Sequence, residues 1–276
     1  MAPLTSPSPE LLRLGSGELF FDRWDEDGNP TGMRHLGNVE TLEITLTDDK
    51  LVKKESMTRA RNTYKSITRS RTVILRAVGD EWSVDNLALM LMGSLVYATA
   101  AATPVVDKVL YADVPVGTLG SILGGKFFFV GDLNVGTLTM DLGATALDAD
   151  DFEVYNAQMG VVRIKETSTT ATNGTDDLTV SYTPAAITGT ASPVVRGGTE
   201  TVIQGSVLFF EDNTTGENHI LRVWSVSVTP DGALGLISDD FATFALNMEV
   251  QSDVAGDHGG TADDPLFHVQ LVPAAA

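Results

Sequence analysis

Three stretches of this chain bring together residue types that can do chemistry. Gly120, Gly125 and Lys126 have the spacing of a loop that wraps phosphate in backbone N–H groups, with a lysine to meet the outer phosphates. Phe127 stands where such a loop needs a Ser or Thr for magnesium, and the strand-like run Phe127-Phe128-Phe129-Val130 follows in place of a helix. The glycines therefore read as a bend into a core strand. Asp25-Glu26-Asp27-Gly28-Asn29-Pro30 resembles a calcium loop but lacks the alternating ligands and terminal Glu of an EF-hand, so it reads as a surface turn. Asp148, Asp150, Asp151 and Glu153 offer hard oxygen ligands, yet Phe152 interrupts their spacing, and a solvated turn accounts for them.

Catalytic patterns are missing from the sequence. It holds no Gly-x-Ser-x-Gly nucleophile turn, no His-Glu-x-x-His, no dinucleotide fingerprint and no cysteine. Without cysteine there is neither a disulfide framework nor a thiolate metal site. His35, His219, His258 and His268 are scattered and read as strand or loop polar residues, while Trp24, Trp82 and Trp224 read as core or interface packing. No enzymatic role, cofactor or metal is expected. Met1 to Glu10 carries three prolines and no apolar stretch after a basic start, and no apolar run approaches the length of a membrane span. The chain is expected to act without secretion and without a membrane.

Charge is the strongest signal. Lys50, Lys53, Lys54, Arg59, Arg61, Lys65, Arg69, Arg71 and Arg76 are 9 of the 18 basic residues, and Glu55 is the only acid among them. That arm carries +8, and subtracting it from the net −19 leaves −27 for the rest. An acidic body repels nucleic-acid phosphates and repels copies of itself, whereas a basic segment attached to it favours contact with another copy. A nucleic-acid clamp fits poorly, because Tyr64 is the only aromatic residue on the arm and base stacking needs a platform.

Mainly β elements must position this arm. Leu42, Ile44 and Leu46 alternate with polar residues, as a strand with one buried face requires, and the β-branched run Thr72 to Val78 follows the arm. Together they predict a long hairpin with the arm as an extended loop at its tip. Ser83 can cap a short helix ended by Gly93, with Val84, Leu87, Ala88 and Leu91 on one face. Met90 lies elsewhere on its surface, so the helix is apolar nearly all round and a neighbouring subunit can cover one side.

Downstream, Phe152 to Tyr155, Val161 to Lys165 and Leu178 to Tyr182 read as strands. So do Thr201 to Glu211 and His219 to Thr229, flanking a turn over Asp212 to Gly216. Trp224, Val226 and Val228 share a face of the last of these. Ala242, Phe244, Leu246, Met248 and Val250 form the buried face of a further strand. The organisation expected is a lead-in over residues 1–14 and a core built from 15–140 and 199–276. Residues 141–198 form a β-rich insertion or an elaboration of that core.

These stretches resemble the tail tube (major tail) proteins of long-tailed, non-contractile bacteriophages. The resemblance rests on Gly37-Asn38-Val39, the polar arm from Lys50 to Arg71, and Asp85-Asn86-Leu87-Ala88-Leu89 with Gly93. It continues through Asp151-Phe152-Glu153-Val154 to Leu178-Thr179-Val180-Ser181-Tyr182, then Phe209 to Asn213, Gly216, and Leu236-Ile237-Ser238-Asp239-Asp240-Phe241. It implies two packed, mostly antiparallel sheets in a sandwich or barrel with one short helix and a long hairpin arm. Six copies would close into rings that stack into a hollow tube, with the arm reaching the adjoining ring and DNA passing through the lumen. The implied partners are further copies, a tape measure protein, and tail terminator and distal tail proteins. The implied location is the virion tail, assembled in the bacterial host cytoplasm. Other readings of the residues are a capsid decoration or surface-layer subunit, and a carbohydrate-binding or hydrolytic β-protein that uses its Asp clusters.

Overall fold

The computed structural model describes residues 15–57, 59–213, 217–237 and 239–272. The lead-in expected over 1–14, the Thr214-Thr215-Gly216 part of the expected turn, and Ser238 lie outside them. The chain divides into two compact units, unit 1 from Met1–Val96 with Val195–Ala276, and unit 2 from Tyr97–Val194. The second unit thus begins 44 residues ahead of the expected position 141, which falls inside a strand. The Gly-rich stretch before Phe127 belongs to this second unit and not to the first.

Unit 1 opens with β1 (Gly17–Arg23), β2 (Arg34–His35), β3 (Val39–Lys54), β4 (Thr63–Gly79), helix α1 (Val84–Met90) and β5 (Ser94–Tyr97). Unit 2 follows with β6 (Val105–Tyr111), β7 (Gly117–Thr118), helix α2 (Leu119–Leu123), β8 (Phe127–Phe129), β9 (Val135–Leu142) and β10 (Thr145–Ala146). It continues with β11 (Phe152–Asn156), β12 (Val161–Ile164), β13 (Ala171–Thr172) and β14 (Leu178–Pro184). Next comes β15 (Pro193–Arg196), which pairs with β5. Unit 1 then closes with β16 (Ile203–Glu211), β17 (His219–Pro230), β18 (Phe244–Gln251) and β19 (Phe267–Leu271). The protein is mainly β and antiparallel, with a β-sandwich-like fold, as its alternating patterns predict.

In unit 1 one sheet runs β2-β1-β16-β17-β18-β4-β3, with β19 added beside the first half of β17. Its inner face is built by alternation: Leu19 and Phe21 from β1, Val73, Leu75 and Ala77 from β4, and Phe244, Leu246, Met248 and Val250 from β18 are all buried together. The sheet curls, so Leu42, Ile44 and Leu46 of β3 line one apolar groove with Phe209 of β16, Leu221 of β17, and Phe267 and Val269 of β19. The face of β3 expected to be buried is therefore open, with Ile44 41% and Leu46 52% exposed. On β17 the expected alternation breaks. Gly205 pairs with Val226 but Val207 pairs with Val223, so β17 carries an extra residue there and the bulge changes the inward face. Val223 enters the core and Trp224 does not share its face with Val226; the Trp224 indole N–H donates instead to the Asp264 carbonyl at 2.9 Å.

Unit 2 has its own core of Val114, Leu119, Leu123, Val130, Met140, Leu142, Val162, Ile164, Leu178, Val180 and Tyr182. It is enclosed by sheets of order β10-β9-β14-β6 and β11-β12-β8 and by the β13-β7 pair. The strands expected over Phe152 to Tyr155, Val161 to Lys165 and Leu178 to Tyr182 are β11, β12 and β14. Helix α2 was not expected; it is a single turn whose Leu119 and Leu123 plug this core.

Strand β4 crosses from core to solvent, which gives a test within one element. Leu75→Ala removes a fully buried side chain and is expected to cost about 2–5 kcal/mol in urea unfolding. Ile67→Ala, at a position 51% exposed, is expected to stay within about 0.5 kcal/mol of the parent protein.

Candidate functional site

The three stretches with chemical composition are each occupied by structural work. At the phosphate-loop spacing, Gly120 lies inside α2, and a Cβ there would meet the carbonyl oxygens of Glu166 and Ser168 at 2.5 Å. At Gly124 it would meet the Gly120 carbonyl and the Glu166 backbone. Backbone fills the space where a ligand would sit, so these glycines serve close packing. In the Asp25 turn, Asp25 Oδ1 accepts from the N–H groups of Asp27 at 3.0 Å and Asn29 at 2.7 Å. These bonds, with those from the Asn29 side chain, hold its carboxyl below the usual carboxylate range.

The third stretch is the turn expected, with Asp148, Asp150 and Glu153 exposed, and only Asp151 departs from it. Asp151 is buried and accepts from the hydroxyls of Ser168 and Thr170 and from the Asp148 N–H, pinning the residue 166–170 segment to β11. Among the described residues no group of three or more acidic or imidazole side chains is arranged to hold a metal ion. The histidines stay apart: His219 pairs with Glu211 at 2.8 Å, His268 with Asp264 at 2.8 Å, and His258 stacks on Trp24 at 3.6 Å between ring centres. His35 meets Phe20 edge to face.

Helix α1 starts where the sequence places it, with Ser83 Oγ accepting from the Asn86 N–H at 3.1 Å. Its buried residues are Asn86, Ala88, Leu89 and Met90, whereas Val84, Leu87 and Leu91 are only half-buried. The face expected to meet a neighbouring subunit is thus divided, because Ala88 and Met90 are covered by unit 1 itself. The shift has a cause that apolar spacing does not reveal. Asn86 sits inside, donating to the carbonyls of Leu36 at 2.7 Å and Glu81 at 2.9 Å and accepting from Arg34 at 2.8 Å, so its face of the helix is the buried one.

The basic arm is the feature left without an internal role. It is a ribbon, not the extended loop expected: β3 and β4 stay paired from Val39↔Gly79 out to Lys54↔Thr63, and the described residues 55–57 and 59–62 lie beyond the pairing. From Thr47 outward nearly every residue is exposed, including Leu51 at 62% and Met57 at 79%. The arm's charges are unevenly satisfied. Arg71 grips Asp48 with two bonds, Nε at 2.7 Å and Nη2 at 3.3 Å, which holds the Asp48 carboxyl low and raises the Arg71 guanidinium. Arg69 approaches Asp49 at 3.9 Å, and Arg76 reaches Asp231 at 2.6 Å. Lys53, Lys54, Arg59, Arg61 and Lys65 form no ion pair among the described residues. Lys53 lies directly opposite Lys65 in the ladder, where like charges repel. Lys50, near Asp48, begins this outer basic group.

The fold and this surface define a class: a two-unit, mainly β-protein of net negative charge whose unit 1 carries a cationic two-stranded ribbon. Residues 12–261 match the family described as Protein of unknown function UCP028589, and the chain belongs to that family, the match running through both units. No curated protein matches the chain.

Two buried carboxylates set an acid limit on the fold. For Asp151 burial alone would raise the carboxyl, but the bonds from Ser168 and Thr170 outweigh it and the folded value is lowered. Asp253 behaves alike. Burial opposes ionisation, and N–H donors from Gly260 at 2.9 Å, His258 at 3.0 Å and Asp257 at 3.1 Å lower the value. A lowered folded value means stability that is fully present above the unfolded carboxylate range, about pH 4, and lost as pH falls through the folded value. The unfolding free energy of Asp253→Asn is expected to decline less steeply between pH 5 and 3 than that of the parent protein. Equal slopes would remove Asp253 from this account.

Proposed function

We propose that this chain is a structural subunit that polymerises head to tail into a hollow tube of the kind built by tail tube proteins of long-tailed, non-contractile bacteriophages. Copies join into rings, six to a ring on that pattern, and the rings stack with the β3–β4 ribbon of one reaching the next. The subunit performs no catalysis in this reading. It encloses a tape measure protein and later DNA, meets terminator and distal proteins at the tube ends, and resides in the virion tail after assembly in the host cytoplasm.

One observation carries the reading: a two-stranded ribbon extends beyond its own core with cations that form no ion pair among the described residues. An isolated two-stranded ribbon is marginally stable in water, and the opposed Lys53 and Lys65 make this one worse. Both deficits vanish when an acidic neighbour covers it. Edge strands and open apolar faces are liabilities that closure into a ring removes, which fits the open face of β3. An acidic lumen wall would let DNA pass without adhering.

A second reading, glycan binding, draws on the exposed rings of Phe127 and Phe129 on β8 and Tyr155 on β11, the first and last 4.9 Å apart between centres. Hydrolysis finds less support, since Asp151 and Asp253 spend their oxygens on internal donors. Negative-stain microscopy of the purified protein separates the readings: tubes or rings support the first, and dispersed monomers that bind glycans refute it.

The triple variant Lys53→Glu/Arg59→Glu/Arg61→Glu is expected to melt within a few degrees of the parent protein yet form no tubes. Parent tubes are expected to shorten as salt approaches about 1 M, where the screening length falls to about 3 Å. Tubes of normal length from the variant would remove the ribbon from the mechanism.

A further inference from the structure

The ribbon's counterpart lies at the opposite end of the same strands. Between β17 and β18 the described residues 231–237 and 239–243 form a surface segment whose two ends are tied down. Asp231 accepts from Arg76 at 2.6 Å, its N–H donates to the Ala245 carbonyl at 2.8 Å, and the Trp82 indole donates to the Ala242 carbonyl. The crest of the loop is bare: Leu236 is 83% exposed, Ile237 98% and Phe241 91%. Three large apolar side chains so exposed within six residues are what a covered surface would provide and a free one would not. Asp239 and Asp240 accompany them, and no Lys or Arg occurs between Asp231 and Gln251.

The ladder fixes where this loop stands. Phe244, the first residue of β18, pairs with Gly79, the last residue of β4. The basic tip precedes Thr63, the first residue of β4. The whole of β4 therefore separates tip from loop, a span of about 50 Å at roughly 3.3 Å per residue. A paired ribbon cannot bend back over that distance, so a chain cannot bring its own tip to its own loop.

We propose that the tip of one copy docks on the surface formed by Leu236, Ile237 and Phe241 of a second copy. This rests on the assembly reading above and names the surface that receives the arm. Met57, 79% exposed, and Tyr64, 69% exposed, meet Leu236, Ile237 and Phe241, while Lys53, Arg59, Arg61 and Lys65 face Asp239 and Asp240. Methionine, tyrosine, phenylalanine and arginine are the residue types that interface cores favour. Because donor and acceptor sit at opposite ends of one strand pair, the contact is heterologous and each docked copy presents a fresh loop, so it propagates along the β4 direction. A lipid surface is the poorer occupant for the loop, since anionic headgroups are repelled by its aspartates and by the acidic body.

The chain has no cysteine, so Met57→Cys and Ile237→Cys each carry one unique thiol, and both positions are exposed enough to spare the fold. The two full-length variants are mixed in equal amounts under conditions that give assemblies and treated with a short bis-maleimide, and the products are resolved by mass. The expected result is a Met57–Ile237 heterodimer at least tenfold more abundant than either homodimer, abolished when Phe241→Asp is added to the Ile237→Cys chain. Assemblies that sediment normally with no heterodimer above homodimer levels would overturn the assignment of the loop and leave the assembly reading standing. Chains that remain monomeric at every concentration, in the parent protein as well as the variants, would overturn both.

Discussion

The backbone ladder between β3 and β4 runs from Val39↔Gly79 to Lys54↔Thr63, and only its first half lies over a core. In that half Val73, Leu75 and Ala77 are locked by burial, so a slip of one residue would turn them all outward. Register is thereby fixed where it is expensive to change, and the projecting half inherits that register from the root. The inheritance passes through irregularities at Asp49/Lys50 and at Lys53/Lys54, which bend and twist the ribbon as it leaves the sheet. A long reach with defined geometry thus depends on packing at its root.

Charge segregation acts on a different scale. Single exposed pairs such as Arg71–Asp48 are individually weak and screened by salt, and their role is to keep the root of the ribbon in shape. The outer cations act as a set against a body carrying a large excess of acid. In the proposed assembly, like copies would repel at most relative orientations and attract at those that bring a ribbon to an acidic surface, which would select orientation before any apolar contact forms.

How far the sequence discloses this varies with the physical signal. Strict alternation in Phe244, Leu246, Met248 and Val250 is legible because both the burial and the period are local. Trp224 misleads because a bulge is a property of the pair β16–β17, and nothing in β17 alone marks the extra residue. The alternation of Leu42, Ile44 and Leu46 gives the strand correctly but not its cover, since an apolar face reads the same whether it meets its own core or a groove. The face of α1 is set by Asn86, a polar residue that apolar periodicity discounts. The cation-rich arm is plain from composition, yet its pairing out to Lys54 is not, because Ser, Thr and Lys carry little strand signal without a buried face. Asp253 could have been found: an acid leading into Gly256, Gly259 and Gly260 is a side-chain-capped turn signal.

Unit 2 leaves and rejoins the chain through β5 and β15, which are hydrogen-bonded neighbours. Its two ends are therefore fixed side by side, as at a hairpin that has been cut open and enlarged. Such a graft point tolerates wholesale replacement: a short turn joining Val96 to Val195 would restore a simple hairpin, and a foreign module with close termini could occupy the same place. Residues 97–194 are thus a single insertion in the sequence of unit 1, entered and left at one strand pair and not through β3 or β4.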